Sequence, residues 1–153
     1  MKYLTTTIAA FALATIATPA MAQLTPYEDY TVSEGVSLVT TVKVDANMMN
    51  HYLEAIRQTW VPQQEISERL GFIEGYSIYT SGLEASGDFN LLLVVRFANS
   101  ADLQPNRARY EAFMREWGAA NQAASEETAS TVYPEIREIT GQYLMREVMI
   151  KPE

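Results

Sequence analysis

The sequence predicts an α+β sandwich: one four-stranded antiparallel sheet with two long helices on one face. Three observations carry that reading. Four stretches read as strands: Val36–Asp45, which alternates at period two, Phe72–Thr80, rich in aromatics, the apolar run Phe89–Phe97, and Gln142–Ile150. Between the first pair and between the last pair the spacing changes to that of a helix, so the order is β-α-β-β-α-β. The third strand, "FNLLLVVRF", is apolar on both faces, as a central strand covered on both sides would be.

Each element follows from its residues. Lys2, the apolar run Thr7–Ala17, Pro19 and the small-x-small triplet Ala20-Met21-Ala22 form a secretory signal, 1–22, with cleavage expected before Gln23. The run is too short to span a bilayer. Residues 23–35 are polar and without periodicity, which predicts a flexible arm. The single domain is expected over 36–153. Its first strand, "VSLVTTVKVD", puts Val36, Leu38, Thr40, Val42 and Val44 on one face. Asp45 or Asn47 is placed to cap the next helix, whose apolar line is Met49, Tyr52, Leu53, Ile56 and Trp60. Pro62 either kinks that helix or starts a second segment in its first turn, and Gly71 is placed to end it. "FIEGYSIYT" is the second strand, and Ser81–Asp88, with two glycines, is a hairpin loop. A long helix is expected from about Pro105, with Tyr110, Phe113, Met114, Trp117, Ala120 and Ala124 as its buried line. Pro134 ends or kinks it, "EIREITG" closes at Gly141, and "QYLMREVMI" is the last strand.

This order is the split βαβ arrangement of a ferredoxin-like sandwich, with the first and third strands central. If both helices cover one face, an apolar face of the third strand is left for a partner: Leu92 with Val94, or Leu91, Leu93, Val95 and Phe97. In topology and hydrophobic pattern over Val36–Ile150, the chain resembles the dimeric α+β barrel superfamily, in which two such sheets pack face to face. The resemblance implies a homodimer and a pocket between helices and sheet. It also implies kinship with small monooxygenases, haem-degrading enzymes, isomerases and stress-induced proteins, without selecting a reaction.

Composition narrows the function classes. The chain has 153 residues, 19 acidic and 11 basic, for a net charge of −8. Losing the signal with its Lys2 makes the balance one unit more negative. Such a charge disfavours nucleic acid and anionic membranes, and no segment after the signal predicts a membrane span. There is no cysteine and one histidine, so neither a disulfide framework nor a zinc site of the usual kind is expected, and no cofactor is predicted. The leader points to the periplasm.

Six residues are candidates for binding a ligand. Arg96 ends the apolar third strand. The hairpin brings it opposite Ile73 or Glu74, so it is expected to pair with Glu74 across the strands; one register step away it would be a cation in a pocket, fit for a carboxylate. His51 is the lone group titrating near neutrality, and it shares the polar side of the first helix with Asn47, Glu54 and Gln58. Trp60 and Trp117 sit on the apolar stripes of their helices, as core residues or as pocket walls with Tyr76 or Tyr79. No nucleophile–base pair and no G-x-S-x-G elbow occur. The expected function is therefore an exported homodimer that binds a small apolar or aromatic ligand, or serves as an interaction module, with no catalytic residues assigned. The alternative is a small cofactor-independent or haem-type monooxygenase or isomerase like those of the barrel superfamily.

Overall fold

The computed structural model describes residues 23–83 and 86–152. The expected signal segment, 1–22, lies outside the described residues. The elements run β1 Tyr30–Val32, β2 Val36–Val44, α1 Met49–Gln58, α2 Trp60–Arg69, β3 Gly75–Thr80 and β4 Leu91–Phe97. A 3-10 turn, Ser100–Leu103, leads to α3 Arg107–Trp117, α4 Ala119–Thr131, α5 Tyr133–Ile136, β5 Arg137–Met145 and β6 Val148–Ile150.

The main sheet has the order β3-β4-β2-β5 and is antiparallel throughout. This is the expected ferredoxin-like arrangement, with β2 and β4 central. The register decides which side of β4 meets the helices. Leu93 faces Thr40 on β2 and Ile78 on β3, and Leu91, Leu93 and Val95 are buried. With Val42, Val44, Tyr52, Ile56, Tyr133 and Ile136 they belong to the layer under the helices. Leu92, Val94 and Arg96 therefore project from the opposite, uncovered face, beside Val39, Ser77, Tyr79 and Tyr143.

The first helical stretch divides near Pro62 into two segments, one of the two outcomes expected there, and the second is broken where the sequence suggested continuity. Pro62 lies in the first turn of α2, where its missing N–H costs no bond, and a single residue, Thr59, separates α1 from α2. The expected side-chain cap on α1 is not formed: Met48 occupies the cap position, Asn47 turns the chain at φ 66°, and the Met48 N–H donates to the Asp45 carbonyl at 3.0 Å. The expected long second helix is interrupted at Gly118, whose φ 79° and ψ 154° are open to glycine almost alone. Of the line expected on that helix, Tyr110, Ala120 and Ala124 are exposed, whereas Trp117 is buried.

Two boundaries are corrected. The segment expected as a flexible arm contains β1, which pairs with β6 as a two-stranded ribbon: Tyr30 opposite Ile150, Val32 opposite Val148. Its β-branched pair Thr31-Val32 is masked in the sequence by the polar residues around it. The last strand begins at Arg137 rather than Gln142, because Pro134 sits at the start of the short α5 and the chain extends directly from Ile136.

A bulge in β5 changes which of its side chains share a face. Thr41 pairs with Gly141 and Val42 with Ile139, leaving Thr140 as the extra residue, tied to Thr41 by a hydroxyl–hydroxyl bond of 2.8 Å. An extra residue reverses the alternation of side chains. Arg137, Ile139 and Gln142, of mixed parity, thus all point to the helix side.

Candidate functional site

α1, α5 and β5 together border a half-open cavity of about 180 Å³ between the helices and the sheet. Its floor is Thr40 and Leu93. Its walls include Tyr52, Trp60, Tyr133 and Gln142, and Arg137 supplies a charge. Local sequence explains each placement. Tyr52 and Ile56 are one helical turn apart and both fully buried, so α1 presents them inward. Trp60 opens α2 after the break at Thr59. Tyr133 opens α5, and Arg137 follows one turn later as the first residue of β5.

The polar atoms here are arranged around aromatic rings. The Arg137 guanidinium carbon lies 4.6 Å from the Tyr133 ring centre and 5.8 Å from that of Tyr52, so both π faces attract the cation. The two tyrosine rings meet edge to face with centres 5.5 Å apart. The Thr59 hydroxyl donates its one proton to the Ala55 carbonyl at 2.8 Å and so accepts from the Tyr133 hydroxyl, which fixes the Tyr133 proton. Tyr52 is different. Burial pushes its hydroxyl up to about 12; the nearby Arg137 cation works against this and Tyr133 adds to it. Tyr52 therefore keeps its proton well into the alkaline range. The Arg137 Nε is buried and has no hydrogen-bond partner among the described residues.

Of the six residues singled out by sequence, the cavity contains Trp60. Tyr76 stands behind it, its ring meeting that of Trp60 at 87° with centres 5.4 Å apart. Its hydroxyl is raised by burial first and then by the negative charges of Glu65 and Glu68. Tyr79 is exposed on the uncovered face of the sheet. His51 is exposed on α1. Trp117 is buried beside Phe113, and its indole N–H donates to Gln122 at 3.1 Å.

Arg96 does not pair with Glu74. The register sets it opposite Gly75, and Glu74 meets β4 through its backbone N–H, which donates to the Arg96 carbonyl at 2.8 Å. The side chain folds over Gly75 instead and donates to the Ser77 hydroxyl at 2.8 Å. A Cβ at Gly75 would stand 2.8 Å from an Arg96 terminal nitrogen, so the missing side chain makes room for the cation. Arg96 borders a shallow hollow of about 150 Å³ at one end of the uncovered face, with Glu74, Met145 and Glu147.

Tyr133, Arg137 and Gln142 escaped the sequence reading because they belong to a segment read as helix end and strand start. Tyr52 was visible as part of the buried stripe, though with no sign that it lines a cavity. A larger hollow of about 320 Å³ lies between α2, α3 and the sheet. Its charged groups are already matched: Arg109 bonds Asp102 at 2.7 Å and lies 5.0 Å from the Phe72 ring centre. The smaller cavity, with its unmatched cation, is the better candidate site. Among the described residues no group of three or more His, Cys, Asp or Glu side chains is placed to hold a metal, and no helix is long and apolar enough to cross a membrane.

No protein-family model matches the chain, and no curated protein matches it by sequence. Solved structures similar to it include protein SO0527 from Shewanella oneidensis, at 13% identity and TM-score 0.48 over 79% of this chain and 99% of that one. A dimeric protein of unknown function with a ferredoxin-like fold from Bacteroides fragilis aligns at 11% identity and TM-score 0.42, over 76% and 98%. A putative antibiotic biosynthesis monooxygenase from Bacteroides thetaiotaomicron aligns at 10% and 0.38, over 78% and 90%.

Proposed function

We propose that this protein is an exported homodimer that binds one small organic ligand per chain in the cavity between α1, α5 and the sheet, without carrying out a reaction of its own. The observation behind the binding reading is that cavity: aromatic walls, a few convergent polar groups and an unmatched cation, the usual make-up of a small-molecule site. At about 180 Å³ it has room for roughly six waters, or one ring with a substituent.

The homodimer reading rests on the sheet. Helices cover one face; the other carries Val39, Leu92, Val94, Tyr79, Tyr143 and Met145, the last three more than half exposed. A second copy of the same face would cover it with like surface. Export rests on the leader-like pattern of residues 1–22.

A non-catalytic role is favoured by the residues around the cavity. Thr40, Tyr52, Trp60, Tyr133, Arg137 and Gln142 are its polar and aromatic groups, and neither a carboxylate nor a histidine is among them. One observation favours the second reading, an isomerase or cofactor-independent monooxygenase: a protonated phenol and a guanidinium side by side suit a developing oxyanion. Such an enzyme would need its base from the substrate or from outside the cavity.

Native mass spectrometry tests the whole proposal on protein expressed from the full gene and recovered from the periplasm of a bacterial host. The expected species is a dimer of chains lacking residues 1–22, with a small-molecule adduct on each. A monomer would overturn the sheet-to-sheet pairing. Chains retaining the leader would overturn export. An adduct-free dimer that takes up no small aromatic compound would overturn the binding reading.

A further inference from the structure

We infer that the ligand is an organic monoanion, a carboxylate on a single flat ring, whose anionic group is held by Arg137. The inference rests on the binding reading of the cavity and adds the chemical class of its occupant.

Three observations point to it. Arg137 lines the cavity, and its Nε is buried without a hydrogen-bond partner among the described residues. No ion pair joins it to a carboxylate among those residues, although the chain carries 19 acidic side chains. What surrounds the guanidinium instead is the faces of Tyr52 and Tyr133, which orient it but accept no N–H. Arg137 is only partly withdrawn from water, but a cation set in an aromatic-walled cavity still favours a hydrogen-bonded anionic partner. The described residues supply no such partner, so the partner is assigned to the ligand.

The geometry also selects among anions. The two Nη groups, accessible where the Nε is not and without a hydrogen bond to any described residue, form a two-donor edge that matches the two oxygens of a carboxylate. Tyr52, a phenol and so protonated at neutral pH, offers a further donor, and Gln142 an amide. Trp60, Ile56 and Leu93 leave the rest of the space apolar, which suits a ring and disfavours a bare ion. A neutral ring would leave the cation unmatched.

The test uses benzoate, benzyl alcohol as its neutral counterpart, and acetate as the anion without a ring. Each is titrated at up to millimolar concentration into the mature protein labelled with nitrogen-15. The resonance to follow is the Arg137 Nε–H, assigned by its loss in Arg137→Lys. Benzoate is expected to shift that resonance and to bind about ten- to a hundredfold more tightly than either other probe. Arg137→Gln should abolish the preference for benzoate over benzyl alcohol, and Arg57→Gln, on the exposed side of α1, should leave it intact. If benzyl alcohol matches benzoate and Arg137→Gln changes neither, the cavity binds ligands but the anion assignment is wrong. Acetate binding as tightly as benzoate also overturns it. If none of the three perturbs the cavity amides, the binding reading falls with it. Should Arg137→Gln fail to fold, the Nε–H shift and the three-probe comparison in the unmutated protein still decide.

Discussion

Tyr52 illustrates how a single side chain can be both core and site. It is 1% exposed, packed against Tyr133 and Ile56, yet its ring edge borders the cavity. Its raised hydroxyl has a consequence for stability. In the unfolded chain a tyrosine ionises near pH 10, whereas in the fold Tyr52 holds its proton to about pH 12. Between those values the unfolded state binds fewer protons, so stability falls as pH rises. The contribution is complete below pH 10 and is lost through the alkaline window, on the order of 2–3 kcal/mol by pH 12. Tyr52→Phe should flatten the alkaline decline relative to the unmutated protein, as read by denaturant midpoints between pH 8 and pH 11.5. Parallel declines in the two proteins would mean that the hydroxyl is not desolvated. Arg96 gives the contrasting lesson. Its charge looked like half of an ion pair, but one step of register moved it onto Gly75 and Ser77.

At the scale of elements, the breaks are as informative as the helices. Gly118 separates α3 from α4 with a backbone that a residue bearing a Cβ strongly resists, although nothing lies within 4 Å of where that Cβ would be. Gly118→Ala should therefore cost about 1–3 kcal/mol through the backbone alone, with no clash to relieve. Chemical denaturation measures it, and an unchanged midpoint would show that α3 and α4 can join without penalty. The β5 bulge has the larger effect on function. Were Thr140 paired like its neighbours instead of bulged out, the strand would alternate strictly, and Arg137 and Gln142, five residues apart, could not share a face.

For the whole molecule, the central question is the uncovered side of the sheet. A four-stranded sheet with helices on one face leaves Leu92 and Val94 at the middle of the other. Leu92→Asp is expected to yield a folded monomer, or aggregate, from a dimeric parent, because it places a charge at the centre of the buried contact. Light scattering after size-exclusion chromatography reads the mass. An intact dimer would show that the copies meet elsewhere, for instance through the exposed Val148–Ile150 edge of the small ribbon.

Much of this was legible in the chain. The period-two and helical stretches determined the order of elements, and with it the strand arrangement, because a hairpin and two helical crossovers leave few ways to close one sheet. The apolar excess of "LLLVV" determined that β4 is central. Local periodicity carries such facts because it reflects which side of an element avoids water. Only the tertiary structure decided the rest. Which side of β4 meets the helices, where Arg96 points, and that Arg137 and Gln142 converge on Tyr52 all depend on register and on a single extra residue at Thr140. The paired residues of β2 and β5 stand about a hundred positions apart along the chain, and their alignment is settled by packing between strands, to which no local pattern is sensitive.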